Sequence, residues 1–561
     1  MEKEAAVTKD DSMSNVQLVI LMGGNATRLA PLNYSLPKGL LNINQQPAIY
    51  NMINAFIEKG LNDITFITSP SNYKVIKDFC NKAYSKLNMN FVMQNEPKGP
   101  LHAFQHARPH INKPTLLLLG DTICSTDLDF SNSFLGYKII NDDSHSRWCL
   151  IKTDENEFVQ KLIDKPKEKP DTDKVLIGIY YFKDYKTLKR LFTRKYPIIR
   201  GEYQLSSLIE VYNKIDKIKG QPIEYWLDTG TLEDYSDVFK QSISGRSFNS
   251  FILDNDGVIE KSSSYDKLKT EIFWLEEIEK TELKKYMPRF FGSSVENNKI
   301  KYKTQYINSQ TLAEYLCFYP VADGNWSYIF SKLIETAKEF WSHKAEITKK
   351  EASDLTKKML VEKTNVRIAK WDRQDILQNK TVIINGNVNF NVNECLNLLK
   401  DDIKNIINTS KDHFSIIHGD MCFSNILFAP ENTAFKFIDP RGDFGKPGIY
   451  GDLRYDLAKF RHCYHGLYDY LIAKLYKVTE INNAEFEYEF LTDQIVDYKL
   501  FDEVLVKEGY NVDDIELIEG LLFISMIPLH DDDKNRQLAQ YLIGLKCLNN
   551  QINKRGKQWR F

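Results

Sequence analysis

The stretch LVILMGGNATRLAPLNYSLPKGLL, from Leu18 to Leu41, combines residue types that suit a phosphate better than a core. An apolar run of strand length ends at Met22, Gly23 and Gly24 follow, and the polar loop beyond carries Arg28 and then Lys38. Glycine lets backbone amides approach an anion closely and form a concavity for it, while Arg and Lys complete the charge. A nucleotide is the guest this pattern expects. A second candidate is Asp121, which follows the apolar run TLLLLG. A carboxylate at the C-terminal tip of a parallel strand sits where open α/β sheets bind ligands, and it suits Mg2+.

These groups need a sheet to hold them. PAIYNMINAFIEKG has a period of 3.6 and stops at Gly60, and Ile64 to Thr68 then has strand character, which is the βαβ grammar of a parallel sheet. FVMQNEPKGPLHAFQHA predicts an extended run, a turn over Pro97 to Pro100, and a helix from about Leu101. A chain of 561 residues is too long for one ordinary core, so at least two domains are expected. Basic residues number 74 and acidic ones 76, a net charge of −2, so no global field draws the chain to nucleic acid or anionic lipid. No apolar run reaches the roughly 18 residues needed to cross a bilayer. Residues 1–15 are polar and charged and read as a disordered tail, with no apolar signal segment. The expectation is a cytoplasmic protein acting on small molecules, without nucleic acid or membrane insertion; whether it forms a homo-oligomer is open. Eight cysteines without a C-x-x-C pair predict reduced thiols, not a disulfide framework or zinc knuckle.

The order G-G-x-x-T-R-L followed by P-K-x-L-L resembles the signature of the sugar-phosphate nucleotidylyltransferases, which join a sugar 1-phosphate to a nucleoside triphosphate. The resemblance implies a Rossmann-like mixed sheet over residues 16–240. It also implies that Gly99, in the turn before the helix, lies against the nucleobase, with Gln94 reading a base edge. CTP, UTP, GTP and dTTP all remain open. The second metal carboxylate of the family lies in a W-x-D-x-G-T segment, and YWLDTGT supplies Asp228 in that place. Lys165 in IDKPKE, Gly178 in VLIGIYYF, expected on a strand edge, and Glu202 in GEYQLSSL would build the acceptor-phosphate and sugar side. Met22, Gly23 and Gly24 would then cradle the triphosphate, Arg28 would hold its β- and γ-phosphates, and Lys38 would neutralise charge beside the α-phosphate or acceptor. One departure is Ala26, where the family often has glycine; a positive φ there would cost about 1 kcal/mol or more.

The pattern changes after Gln241, and residues 241–248 read as a linker to a second domain, 249–561, which opens with strand-like runs in SFNSFILD and GVIEKSS. Its sharpest stretch is IIHGDMCFSNILF, in which His418, Gly419 and Asp420 are followed after four residues by Asn425; FKFIDPRGDFG then ends a strand at Asp439. This resembles the core of kinase-like small-molecule phosphotransferases, the group of aminoglycoside phosphotransferases and choline kinases. The resemblance implies an α+β bilobal fold, with a small lobe over about 249–308 and a large lobe over about 309–561. Asp420 would accept the substrate hydroxyl's proton, with Asn425 and Asp439 directed at Mg2+ on ATP. Lys261 and Glu271 look like the strand lysine and helix glutamate that orient the ATP phosphates. His418 and Asp456 read as structural supports, and the His462, Cys463 and His465 cluster reads as packing.

The two reactions compose. The sequence is therefore read as a bifunctional enzyme that phosphorylates a small hydroxyl compound and activates the product with a nucleotide, as a precursor for surface glycan. A choline or amino-alcohol kinase fused to a cytidylyltransferase is the alternative within that class. A nucleotide-binding regulatory scaffold is the alternative outside it.

Overall fold

The computed structural model describes residues 13–24, 27–30, 32, 36–43, 46–140, 144–242, 249–263, 267–296 and 299–557. Ala26, most of the expected N-terminal tail and most of the expected linker lie outside these residues. The chain divides into two compact units, one of Met1–Asn81 with Ser85–Ser242 and one of Lys82–Tyr84 with Ile243–Phe561.

The first unit is built on β1 (Gln17–Met22), α1 (Ala48–Glu58), β2 (Asp63–Thr68), β3 (Asn88–Met93), α2 (Pro100–His106), β4 (Thr115–Leu119) and β5 (Thr122–Cys124). It continues through β6 (Phe134–Ile139), β7 (Cys149–Thr153), β8 (Val159–Asp164), β9 (Lys174–Phe182), β10 (Lys219–Pro222) and β11 (Trp226–Asp228). A mixed sheet runs β8-β7-β9-β4-β1-β2-β3, with β6 paired to β9 and β10 to β6. The β1, β2, β3 and β4 core is parallel, whereas β9 is antiparallel to β4, β6 and β7. This is a Rossmann-like sheet with a mixed extension. Strands β1 and β4 are almost wholly buried, which explains why they read as continuous apolar runs without alternation. Gly60, with φ +93°, ends the turn after α1.

Gly178 is not on an edge. It lies inside β9 with φ +92°, in the register shift between Leu176 and Tyr180 against β6, and a Cβ there would meet Thr122 Oγ1 at 2.6 Å. Only glycine tolerates both conditions, and the apolar run around it gives no hint of a bulge.

The second unit opens with β12 (Asn249–Leu253), β13 (Val258–Ser263), α3 (Lys267–Glu279), β14 (Phe290–Glu296) and β15 (Lys299–Gln305). These strands form an antiparallel sheet in the order β12-β13-β15-β14. Beyond it the unit is mainly helical, with short hairpins inserted. Strands β16 (Phe414–Ile416) and β19 (Tyr450–Asp452) pair on either side of the β17 (Ile426–Ala429) and β18 (Ala434–Phe437) hairpin. Helix α4 (Leu453–Tyr464) is buried along its length, and so is most of Val512–Met526. Buried all round, such helices sit at the centre of the packing rather than on its surface. Among the described residues, no helix is long and apolar enough to cross a membrane.

Candidate functional site

In the first unit, β4 delivers its chain to Gly120 and Asp121 beside the end of β1. The Gly120 amide donates to Leu21 O across 3.0 Å, and a Cβ at Gly120 would lie 2.5 Å from that oxygen. Strand β11 pairs antiparallel with β5, which sets Asp228 opposite Thr122, and the Thr229 amide donates to Asp121 O across 3.2 Å. Asp121 and Asp228 are thus brought together from distant segments. Lys38 Nζ donates to Asp121 Oδ2 across 2.7 Å. Burial, and then the charge of Asp121, push Asp228 up to about 6 against the pull of Lys38, while Asp228 Oδ1 accepts from the Gly230 amide at 2.9 Å.

A cavity of about 230 Å³ opens at this point, and its wall includes Arg28, Asp121, Asp228, Lys165 and Gly178. Lys165 takes φ +48°, and its amide donates to Trp148 O at 2.8 Å. Arg147, Trp148 and Trp226 also line the cavity and were missed by sequence reasoning. The two indoles meet edge to face at 5.3 Å, and the Arg147 guanidinium lies 5.1 Å over Trp148. The tryptophan of W-x-D-x-G-T was the one available signal for this wall.

Glu202, Gln94, Gly99 and Lys38 are not part of that wall. Gln94 is buried, with Nε2 3.0 Å from His102 Nδ1 and 3.4 Å from Gly99 O, and a Cβ at Gly23 would meet its Oε1 at 2.9 Å. Gly23, Gln94 and Gly99 therefore form one cluster. Gly99 takes φ +102°, and a Cβ there would lie 2.8 Å from both Glu202 Cβ and Tyr203 O. Met22 is buried, with its methyl group over Gly39, and Gly24 is exposed.

Residues 17–245 match the family model described as nucleotidyl transferase. The first unit carries a nucleotidyl transferase domain. The chain is 26% identical over 233 residues to the UTP–glucose-1-phosphate uridylyltransferase AglF of Haloferax volcanii, covering 39% of this chain and 93% of that protein. It is 26% identical over 234 residues to the glucose-1-phosphate thymidylyltransferase of Mycolicibacterium smegmatis, covering 39% and 79%. The solved UDP-glucose pyrophosphorylase from Acinetobacter baumanii is 18% identical, with a TM-score of 0.35 and coverage of 40% and 92%. By this family match and these relatives, the nucleotidyl transferase domain resembles the sugar-phosphate nucleotidylyltransferases.

Apart from that domain, the second unit has its own cluster. Lys261 on β13 lies 2.8 Å from Glu271 Oε1 on α3 and 3.1 Å from Asp439 Oδ1, and Tyr302 OH donates to Glu271 Oε1 at 2.5 Å. Burial works against the Lys261 ammonium, yet Asp439 and Glu271 hold its pKa above the ordinary value. Asp439 takes φ +57°, a strained conformation for a carboxylate at the mouth of a strand. Asn425 Nδ2 donates to Asp420 O at 2.9 Å, and the Ile438 amide donates to Asn425 O at 3.0 Å, so Asp420, Asn425 and Asp439 share one hydrogen-bonded loop pair.

The supports are equally specific. Asp456 accepts from the His418 amide at 3.0 Å and the Gly419 amide at 2.8 Å, and burial pushes its carboxyl up to about 7. His418 Nδ1 accepts from the Asp420 amide at 3.3 Å, and burial holds its pKa down at about 4. Lys459, missed from sequence, pairs with Asp420 Oδ1 across 2.9 Å from within α4. Its signal is weak, because it differs from the many surface lysines only in lying three residues after Asp456.

The His462 ring packs 4.2 Å from Tyr468 and 4.1 Å from Phe523. His465, Glu519 and Cys547 bring ligand atoms within 4.8 Å of one another, but Arg461 already donates to Glu519 and sits 3.0 Å from His465 Nδ1. A guanidinium in that position makes this a buried ion-pair network, not a metal site.

Proposed function

We propose that the chain is a bifunctional enzyme: a small-molecule kinase and a sugar-phosphate nucleotidylyltransferase that activates the kinase product. The observation that carries the second activity is the meeting of Asp121 and Asp228 on the wall of a cavity that also holds Arg28 and Lys165. Two facing carboxylates are a hard oxygen donor set that fits Mg2+; Asp121 and Asp228 would hold it, and it would supply positive charge to neutralise the departing pyrophosphate. Arg28 and Lys38 supply positive charge along the triphosphate, and Gly23 and Gly24 leave the backbone open to it. The acceptor phosphate is already ionised at neutral pH, so its oxygen attacks the α-phosphorus without a protein base. Lys165 holds that phosphate in line, and Glu202 accepts from acceptor hydroxyls. The base, from CTP, UTP, GTP or dTTP, would rest at Gly99 beside Gln94.

The kinase reading rests on the contact of Lys261 with both Glu271 and Asp439. It supports a small lobe that orients ATP and a large lobe in which Asp420 accepts a hydroxyl proton. Asn425 and Asp439 present amide and carboxylate oxygens that fit Mg2+ on the ATP phosphates.

The test is mass spectrometry of products after the full chain meets Mg2+, mixed nucleoside triphosphates, pyrophosphatase and panels of sugars, polyols and amino alcohols. A nucleoside-diphospho adduct formed from an unphosphorylated acceptor is the expected result. Conversion of externally supplied phosphate esters alone would overturn the single-pathway reading, and no conversion of either kind would return the chain to a nucleotide-binding scaffold.

A further inference from the structure

Four basic side chains gather in one region near Asp420. The helix Lys349–Lys357 passes through a π turn at Lys358–Glu362 into the segment Lys363–Ile368, which carries Lys363 and Arg367 one turn apart. Residues four apart share a face, and like charges there cost helix stability; π turns of this kind recur at functional sites. Lys363 Nζ lies 6.0 Å over the Tyr455 ring, and Arg441 Nη1 donates to Tyr455 OH at 3.3 Å. Arg441 is fixed against the Asp420 loop: its amide donates to His418 O at 2.9 Å, and its Cβ is 2.9 Å from where a Cβ of Gly419 would stand. Arg367 Nη1 donates to Ser525 O at 3.1 Å. Lys459 completes the set through its ion pair with Asp420.

Among the described residues, the negative charge facing this set falls short. Asp420 is engaged by Lys459, Asp443 beside Arg441 accepts from the Gly445 amide at 3.2 Å, and Arg441 Nε is buried with no hydrogen-bond partner among the described residues. Burial, and then Arg441, Arg367 and Lys459, push the Lys363 ammonium down to about 5, with Asp420 pulling the other way. Unpaired charge is costly to bury and strongly perturbed groups cluster at functional sites; an anion seated among these side chains would offset that cost.

Resting on the kinase reading, we infer that the hydroxyl compound phosphorylated at Asp420 is itself an anion, carrying a carboxylate or phosphate that seats among Lys363, Arg367 and Arg441. In the reaction the acceptor hydroxyl oxygen forms a bond to the γ-phosphorus of ATP and the bond from that phosphorus to the β,γ-bridging oxygen breaks. The hydroxyl proton passes to Asp420, and ADP leaves with the electron pair of the broken bond. A quaternary ammonium would meet like charge here, which sets choline-type acceptors aside.

The experiment follows ADP release from Mg·ATP by the full chain with four classes of acceptor. Glycerate and gluconate offer a carboxylate, glycerol 3-phosphate and glucose 6-phosphate a phosphate, glycerol and glucose neither, and choline a cation. Turnover of one anionic class at a lower KM than its neutral counterpart is expected and identifies which anion is read. In Lys363→Gln and Arg367→Gln variants, KM for that acceptor should rise about 10- to 100-fold, with kcat and the KM for ATP little changed. Melting temperature and Mg·ATP affinity, compared with the unsubstituted chain, separate this from misfolding. Preference for neutral or cationic acceptors, or binding of Mg·ATP with no phosphorylation of any anionic compound, overturns the inference alone. Failure to bind Mg·ATP at all overturns the kinase reading and the inference with it.

Discussion

Lys38 Nζ lies 2.7 Å from Asp121 Oδ2, so the cation assigned to the phosphates and the carboxylate assigned to the metal neutralise each other directly. Any metal at Asp121 competes with that ammonium. Lys38→Met should therefore tighten Mg2+ binding, measured by calorimetry, while slowing nucleotidyl transfer about 10²- to 10³-fold through lost transition-state charge. Unchanged turnover with unchanged Mg2+ affinity would remove Lys38 from the site.

Asp228 sets a pH dependence. Its ordinary value of 3.8 is raised to about 6 by burial and by Asp121. The folded chain therefore holds this proton more tightly than the unfolded chain, so ionising Asp228 lowers stability as pH rises between about 4 and 6. Metal binding runs the opposite way, because it needs the carboxylate. Apparent Mg2+ affinity of the first unit should fall toward tenfold per pH unit below about 6, and Asp228→Asn should abolish both the affinity and its slope.

The turn at Gly99 tolerates no side chain. With φ +102° and backbone within 3 Å of a new Cβ, Gly99→Ala should destabilise the chain by about 1–3 kcal/mol and raise KM for the nucleoside triphosphate. Chemical denaturation and initial-rate kinetics check the two effects separately.

The Lys261–Glu271 pair separates stability from chemistry. Lys261→Met leaves a buried carboxylate that, among the described residues, keeps Tyr302 as a hydrogen-bond donor, and should cost about 3–5 kcal/mol. Adding Glu271→Gln should recover much of that stability without restoring ATP-dependent phosphorylation. A double variant that regains activity would place ATP elsewhere.

Asp456 tests the support of the loop that carries Asp420. An asparagine can offer only one oxygen where two carboxylate oxygens now accept from the His418 and Gly419 amides. Asp456→Asn should lower stability by about 1–3 kcal/mol and reduce phosphorylation at saturating ATP, as read by denaturation and by kcat.

The parallel core was legible because β1 and β4 are buried on both faces and therefore read as unbroken apolar runs ending in Gly23 and Gly120. Asp121, Asp228, Asp420 and Asn425 stood out because each sits inside a short contiguous pattern. Lys459, Arg441 and the Lys363 and Arg367 pair did not, since they come from three separate segments of a lysine-rich chain and acquire meaning only when folding brings them together. Arg147 and Trp148 were hidden for the same reason. Gly178 was misread because a bulge inside an apolar strand has no local composition to mark it.

If Gly99 receives the base and Glu202 the acceptor, their close approach should couple the two binding events into one kinetic order. The Tyr203 amide donates to Lys98 O at 2.9 Å, so a backbone hydrogen bond joins the turn that would receive the base to the hairpin of Ile198–Ile199 and Glu202–Tyr203 that would receive the acceptor. A nucleotide settling on that turn would stiffen the hairpin before the acceptor arrives. The nucleotidyl transfer should then be sequential with the triphosphate leading, giving intersecting rather than parallel double-reciprocal lines, and the acceptor analogue should inhibit uncompetitively against the nucleotide.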